Sequence, residues 1–350
     1  MRIFSRADLP SLAFKHWWPD DSERGVVIQK ASFGFDLAGN CDYLPEQPDL
    51  LLSDDFYGDP ATSSMHAESD LAPFKPRTDL LIHATARAPD GIPAPDWPVS
   101  VAIPDRLFYQ FQICGPRFWE REGKYWRLTK PVPIIELPIR YEAAFGGLAP
   151  APDGALQTFS YNPAGRGFTI DDGAKGIIER PAPQIGLLAE FAQGTPLAPM
   201  TVCGLMPLAK TWLPRRALAG TFDDAWLRTR HPRMPANYDF GYWNAAPPPL
   251  QLAPYLAGNE TIVLSGVQTG EVLPITLPGL AGHFRLKRAG ERAGPPQAMA
   301  LDTVIIDVES EDRRAHTLTL VWRANFLSPA DVEAVETSLD EIVLAESPEE

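Results

Sequence analysis

The sequence predicts a mainly β protein, built of packed antiparallel sheets of sandwich type with few short helices. Three observations carry this. Alternating apolar and polar runs recur along the chain. Proline is abundant, at 37 of 350 residues, and is spread throughout rather than confined to one tract. Convincing helical periodicity is confined to two stretches. Spread prolines break a chain into short elements joined by rigid turns and extended connections.

The strands come in order. "VVIQKASFGF" (26–35) is β-branched and aromatic, with Lys30 and Ser32 opposite Ala31 and Phe33. "LLIHATAR" (80–87) places Leu80, Ile82, Ala84 and Ala86 on one face and His83, Thr85 and Arg87 on the other. "RLFYQFQI" (106–113) sets Leu107, Tyr109, Phe111 and Ile113 against Phe108, Gln110 and Gln112. Near the end, "LDTVIIDVE" (301–309) and "HTLTLVWRANF" (316–326) flank the charged turn "SEDRRA", which predicts a hairpin with a loop longer than two residues.

"TFDDAWLRTR" (221–230) opens on Thr221 with Asp224 three residues on, a variant capping box that predicts a short helix. The second helix is expected after residue 326. Ser328 is its N-cap, Pro329 its first helical position, and Leu327 and Val332 have staple spacing. Val332, Val335, Leu339 and Ile342 then form an apolar stripe on an acidic helix. The stripe is expected to dock on its own protein, with a partner groove as the sharper alternative. Residues 146–185, with "GGLAPAPDG", "NPAGRGF" and "RPAPQ", suit ordered loops. The division expected is one β-rich unit over 1–326, or two β sub-domains, followed by an acidic helix and tail over 327–350.

Composition excludes several classes. Apolar residues at 45% and charged residues at 22% suit a globular core. The net charge of −14 lacks the basic footprint of a nucleic-acid binder. It suits a solvated surface or a basic partner. Cys41, Cys114 and Cys203 are odd in number and far apart, which argues against a disulfide framework or a zinc ribbon. The opening "MRIFSRADLPSLAF" lacks a signal peptide's apolar core, and no run approaches a membrane span. A reduced, cytoplasmic chain is expected, with no membrane, nucleic-acid or cofactor partner.

The stretch "SDLAPFKPRTDLLIHATARAPDG" (69–91) holds Asp70, Lys75, Asp79 and His83. As chemistry, Lys75 with Asp70 or Asp79 would be an acid–base pair near His83. As structure, Pro73 and Pro76 keep the chain extended, Asp79 ends a turn, and a strand begins at Leu80. The structural reading is preferred, because polar groups at strand entries far outnumber catalytic ones. Nucleophile-elbow, metallohydrolase and phosphate-loop motifs are missing. The six histidines have no metal spacing, so no metal is expected. Glu136, Glu142, Asp239 and Glu260 are candidate acids for a β-rich carbohydrate hydrolase, but nothing in the sequence pairs them. "FKHWWPDD" (14–21) and "FGYWNAAPP" (240–248) hold aromatics that suit either a core or a peptide- or sugar-binding surface.

The segment "TWLPRRALAGTFDDAWLRTRHPRMPANYDFGYWNAAPPPLQ" (211–251) resembles the bacterial family called domain of unknown function 2169. The matching positions are Trp212, Pro214, Arg215, Gly220, Thr221, Phe222, Asp223, Trp226, Pro232, Pro235, Asp239, Asn244, Ala246 and Pro247. "PIRYEAAFGG" (138–147), "NPAGRG" (162–167), "GNETIVLSG" (258–266), "LDTV" (301–304) and "LVWR" (320–323) follow the family order, so the likeness covers roughly 17–323. Two positions depart from it. Leu250 stands where the family is often acidic, and no basic residue lies between Arg106 and Arg117, where it often has lysine.

The resemblance implies a non-enzymatic adaptor or chaperone of the type VI secretion system. Such a protein holds a toxic effector and helps load it onto the VgrG spike, often through a PAAR-type tip. It implies no particular site residues. From the residues themselves, Trp212, Arg215, Asp223, Trp226, Asp239 and Trp243 are the candidate binding positions. Trp212 and Trp226 are expected to pack together, and Arg215 to find a carboxylate or carbonyl partner such as Asp223. The rival class is the carbohydrate hydrolase with a carboxylate pair. A third is a structural piece of the secretion machine, which would form a homo-oligomer.

Overall fold

The computed structural model describes residues 1–35, 40–123, 125–151, 153–170, 177–191, 197–268 and 272–342. Its principal strands are β1 (Arg2–Ser5), β2 (Ser11–Trp17), β3 (Glu23–Phe35), β4 (Thr78–Arg87), β5 (Asp96–Ile103), β6 (Leu107–Cys114), β7 (Thr261–Ser265), β8 (Leu273–Thr276), β9 (Leu280–Arg288), β10 (Ala300–Val308), β11 (Thr317–Leu327) and β12 (Val332–Glu341). The fold is mainly β, as the alternating patterns predict.

The largest sheet runs Glu136–Pro138, β4, β10, β11, β3, β2. Its strands pair antiparallel except β4 with β10. β10 and β11 form the expected hairpin. A second, antiparallel sheet runs Ile185–Gly186, β6, β5, β7, β8. A third runs β1, β12, β9, Gln297–Ala298, with β1 parallel to β12.

One contiguous core joins the three sheets. It takes Leu80, Ile82 and Val304 from the first, Val99, Phe111 and Ile262 from the second, and Phe284 and Val335 from the third. β5 alternates as a half-buried strand should, with Trp97, Val99, Val101 and Ile103 inside. β4 lies in mid-sheet and is buried on both faces, so its polar residues, His83 included, face protein rather than water.

The expected C-terminal helix is a strand. Ser328 takes a left-handed conformation, Pro329–Asp331 make one 3-10 turn, and β12 then pairs with both β9 and β1. The spacing that mimicked a helix has a physical source. Residues three apart on a regular strand face opposite ways. Here the register slips between Lys287 and Arg288, which face Ala334 and Val332, so Glu333 is bulged. The bulge returns Val332 to the inner face of Val335, Thr337 and Leu339. β-branched Val332, Val335 and Thr337 also favour a strand. Residues 343–350 of the expected helix and tail lie outside the described residues, as do 152 and 171–176 of the loop-rich stretch.

The helix near 221 does form, over Asp224–Thr229, but its cap is Asp223 rather than Thr221. The Asp223 carboxylate accepts from the Trp226 amide at 2.8 Å. Among the described residues, no helix is long and apolar enough to cross a membrane.

Candidate binding groove and its ionic support

The stretch 69–79 enters a buried network of charge. Five cations, Lys30, Lys75, Lys210, Arg215 and Arg323, meet five carboxylates, Asp54, Glu68, Asp70, Asp79 and Asp302. Lys75 Nζ lies 2.8 Å from Asp79 and 3.5 Å from Glu68. Lys210 bonds Asp54 at 2.7 Å and lies 3.6 Å from Glu68. Arg215 pairs with Glu68, and Arg323 with Asp302 at 2.6 Å. Arg323 also donates to the carbonyls of Asp70 and Ala72, which joins the Lys30–Asp70 pair to the rest. Buried charge is tolerated only when paired and hydrogen-bonded, and the equal count meets that condition.

The charge states follow from this packing. Burial pushes the Glu68 carboxyl up, but Arg215, Lys75 and Lys210 outweigh it and hold it below the usual carboxylate range. Burial pushes Lys75 down, but Asp79, Glu68 and Asp302 outweigh that and raise it. Asp302 is raised, because its burial exceeds the help from Arg323 and Lys75.

The network holds three loops in place. Asp79 accepts from Asn244 Nδ2 at 3.0 Å and from the amides of Ala245 at 2.8 Å and Ala246 at 3.2 Å. Arg215 donates to the carbonyls of Leu208 at 2.6 Å and Tyr242 at 2.8 Å. The Leu208 amide donates to the Ala245 carbonyl at 2.8 Å, and the Leu213 amide to that of Ser160 at 2.9 Å.

These loops wall an apolar groove of about 600 Å³. Its lining comes from Phe159 and Tyr161, from Pro199, Met200, Thr201 and Val202, from Leu208, Leu213 and Pro214, and from Pro247, Pro248 and Pro249. Tyr109 of β6 closes one side, and its hydroxyl accepts from the Gly204 amide at 3.4 Å. Prolines suit such walls, since they give rigid apolar surface and have no N–H to satisfy. The groove's size and lining fit an apolar side-chain cluster.

The candidate residues of 212–243 fall in different places. Trp212 is fully buried, with its ring 5.5 Å from that of Tyr141. Arg215 is buried in the network, and its carboxylate partner is Glu68, not Asp223. Trp226 does not meet Trp212. It is half-buried, packs against Phe222 and His231, and donates to the Arg233 carbonyl at 2.9 Å. Asp239 caps a 3-10 turn through the Gly241 amide at 2.7 Å. Trp243 lies under Lys210, 5.2 Å from ammonium to ring centre. Of the six, only Trp212 and Arg215 adjoin the groove, through Leu213 and Pro214. The signal for its true lining was the proline content of 196–214 and 247–249, which carries no pattern of contact.

The candidate acids are separately engaged. Glu136 pairs with Arg87 at 2.9 Å, Glu142 accepts from Ser64, and Glu260 pairs with Arg106 at 3.0 Å. Among the described residues, no set of three or more histidines, cysteines and carboxylates is arranged to hold a metal ion.

The fold and groove define a β-rich protein that carries a large apolar concavity. A family model matches residues 20–323, and the chain belongs to that family, described as an uncharacterized protein conserved in bacteria, domain of unknown function 2169. No curated protein and no solved structure matches the chain at a significant level.

Proposed function

We propose that this chain is a non-enzymatic cytoplasmic adaptor. In this reading it binds an effector of the type VI secretion system and helps load it onto the VgrG spike or its PAAR-type tip. The observation that carries the reading is the apolar groove, about 600 Å³ in volume and walled by proline, aromatic and aliphatic side chains. A groove without convergent polar groups suits apolar surface that a client has yet to bury, more than a reacting substrate. Membership of the family supports the reading through the role that the resemblance implies.

The test is co-expression. The effector encoded beside this chain is produced alone and with it, together with an immunity partner if toxic. Alone it is expected to be insoluble or degraded, and with the chain to elute as a complex of fixed ratio. Burial of apolar surface at about 25 cal/mol per Å² makes such a complex resistant to moderate salt. Equal solubility in both cases, without co-elution of any neighbouring effector or spike protein, would remove this reading.

A further inference from the structure

Among the described residues, the outer edge of β6 beside the groove has no partner strand along Phe108–Gln110. Gly115 donates its amide to Pro95 at 2.8 Å, on the β5 side, while Cys114 donates to Gln184 at 2.8 Å, on the outer side. Backbone direction alternates along a strand, so the N–H and C=O groups of Phe108 and Gln110 also point outward. The strand that covers this edge, Ile185–Gly186, reaches only Ile113 and Gln112. Among the described residues, Phe108 and Gln110 have no outer backbone partner, and Phe108 is 72% exposed.

Proteins blunt such edges with charge or proline. The opposite edge strand, β8, carries Pro274. β6, "LFYQFQIC", carries neither guard. Tyr109 lies between the two open residues and lines the groove. Side chains of an added strand that share Tyr109's face would therefore enter the groove.

We infer that β6 accepts an extended segment of a partner protein as an added strand, apolar at alternate positions and without acidic residues. Open amides and carbonyls specify an extended backbone, and the groove specifies apolar side chains on one face. The chain's net charge of −14 disfavours an acidic segment. A second copy would leave the groove unfilled, because in its own β6 Phe111 is buried in the core and Tyr109 packs against that core. The inference rests on the adaptor reading for the partner's identity, and on the edge itself for its chemistry.

The probe is a labelled heptapeptide of alternating threonine and leucine, acetylated and amidated, with a control methylated on alternate backbone nitrogens. Affinity is read by anisotropy, and amide exchange at Phe108 and Gln110 by mass spectrometry. The peptide is expected to bind and slow both amides about tenfold or more, and the control to fail. Gln110→Pro, which removes an outward N–H, and Tyr161→Glu, which charges the groove's rim, should each weaken binding about tenfold or more with unchanged circular dichroism. If Gln110→Pro does not fold, Tyr161→Glu and the methylated control decide. Unchanged exchange, equal binding of the control, wild-type affinity in a folded Gln110→Pro, or a dimer that protects β6 without peptide would each overturn the inference. Effector co-elution that persists in folded Gln110→Pro overturns this site and leaves the adaptor reading. Peptide capture without any co-eluting effector or spike protein removes that reading and leaves the site.

Discussion

Asn244 donates its side-chain amide to Asp79 at 3.0 Å, although 165 residues separate them in sequence. With the Ala245 and Ala246 amides on the same carboxylate, this contact fastens the proline wall of the groove to the start of β4. A strand entry thus becomes the anchor of a distant loop.

Asp79→Ala removes the nearer of Lys75's two carboxylates and the acceptor of three buried donors. Removing one member of a buried pair typically costs about 3–5 kcal/mol. Urea unfolding should show a loss of that size. His83→Ala, on the same strand, should not affect the 244–246 loop in amide exchange. A loss under about 1 kcal/mol for Asp79→Ala would mean that the network contributes little to the fold.

Arg215 and Glu68 should be coupled. Arg215→Met alone leaves Glu68 with only the more distant Lys75 and Lys210, and Glu68→Leu alone leaves Arg215 without its carboxylate. The double variant keeps the remaining charges balanced. It should cost about 2 kcal/mol less than the sum of the single losses. Additive losses in a double-mutant cycle would contradict the pairing.

Stability should fall as acid is added through the range of His83. Burial, with His66 beside it, lowers His83 from the ordinary 6.5 to about 4. The folded state therefore keeps it neutral where the unfolded chain already binds a proton. The contribution is complete above about pH 6.5 and is lost as pH falls towards about 4. The loss over that window is on the order of 3 kcal/mol. His83→Gln should flatten the curve of unfolding free energy against pH there, and an unchanged slope would contradict the assignment.

The two tryptophans of 212–226 should differ. Trp212→Ala removes a fully buried ring and should cost about 3–5 kcal/mol. Trp226→Ala, at a half-buried ring, should cost about half that or less. In β12, Val335→Ala should likewise cost more than Leu339→Ala, because the strand buries Val335 completely and leaves Leu339 half-buried. Equal losses at the last two positions would favour a helical stripe.

By itself the sequence determined the fold class, the strands β3, β4, β6, β10 and β11, and the β10–β11 hairpin, because side-chain alternation is a local property of a strand. It also carried the family resemblance, which rests on the order of short motifs. It could not tell β12 from a helix, because one bulge converts a strand's period of two into a spacing of three. Nor did it join Glu68 to Arg215 or Asp79 to Asn244. Those pairs form only when the sheets close and remove water, after which each buried charge must find an opposite charge wherever the chain brings one. The groove was equally hidden, since its walls come from five separate segments that share no motif. Tertiary structure alone decided which prolines line one groove, and which edge of β6 lacks a partner strand among the described residues.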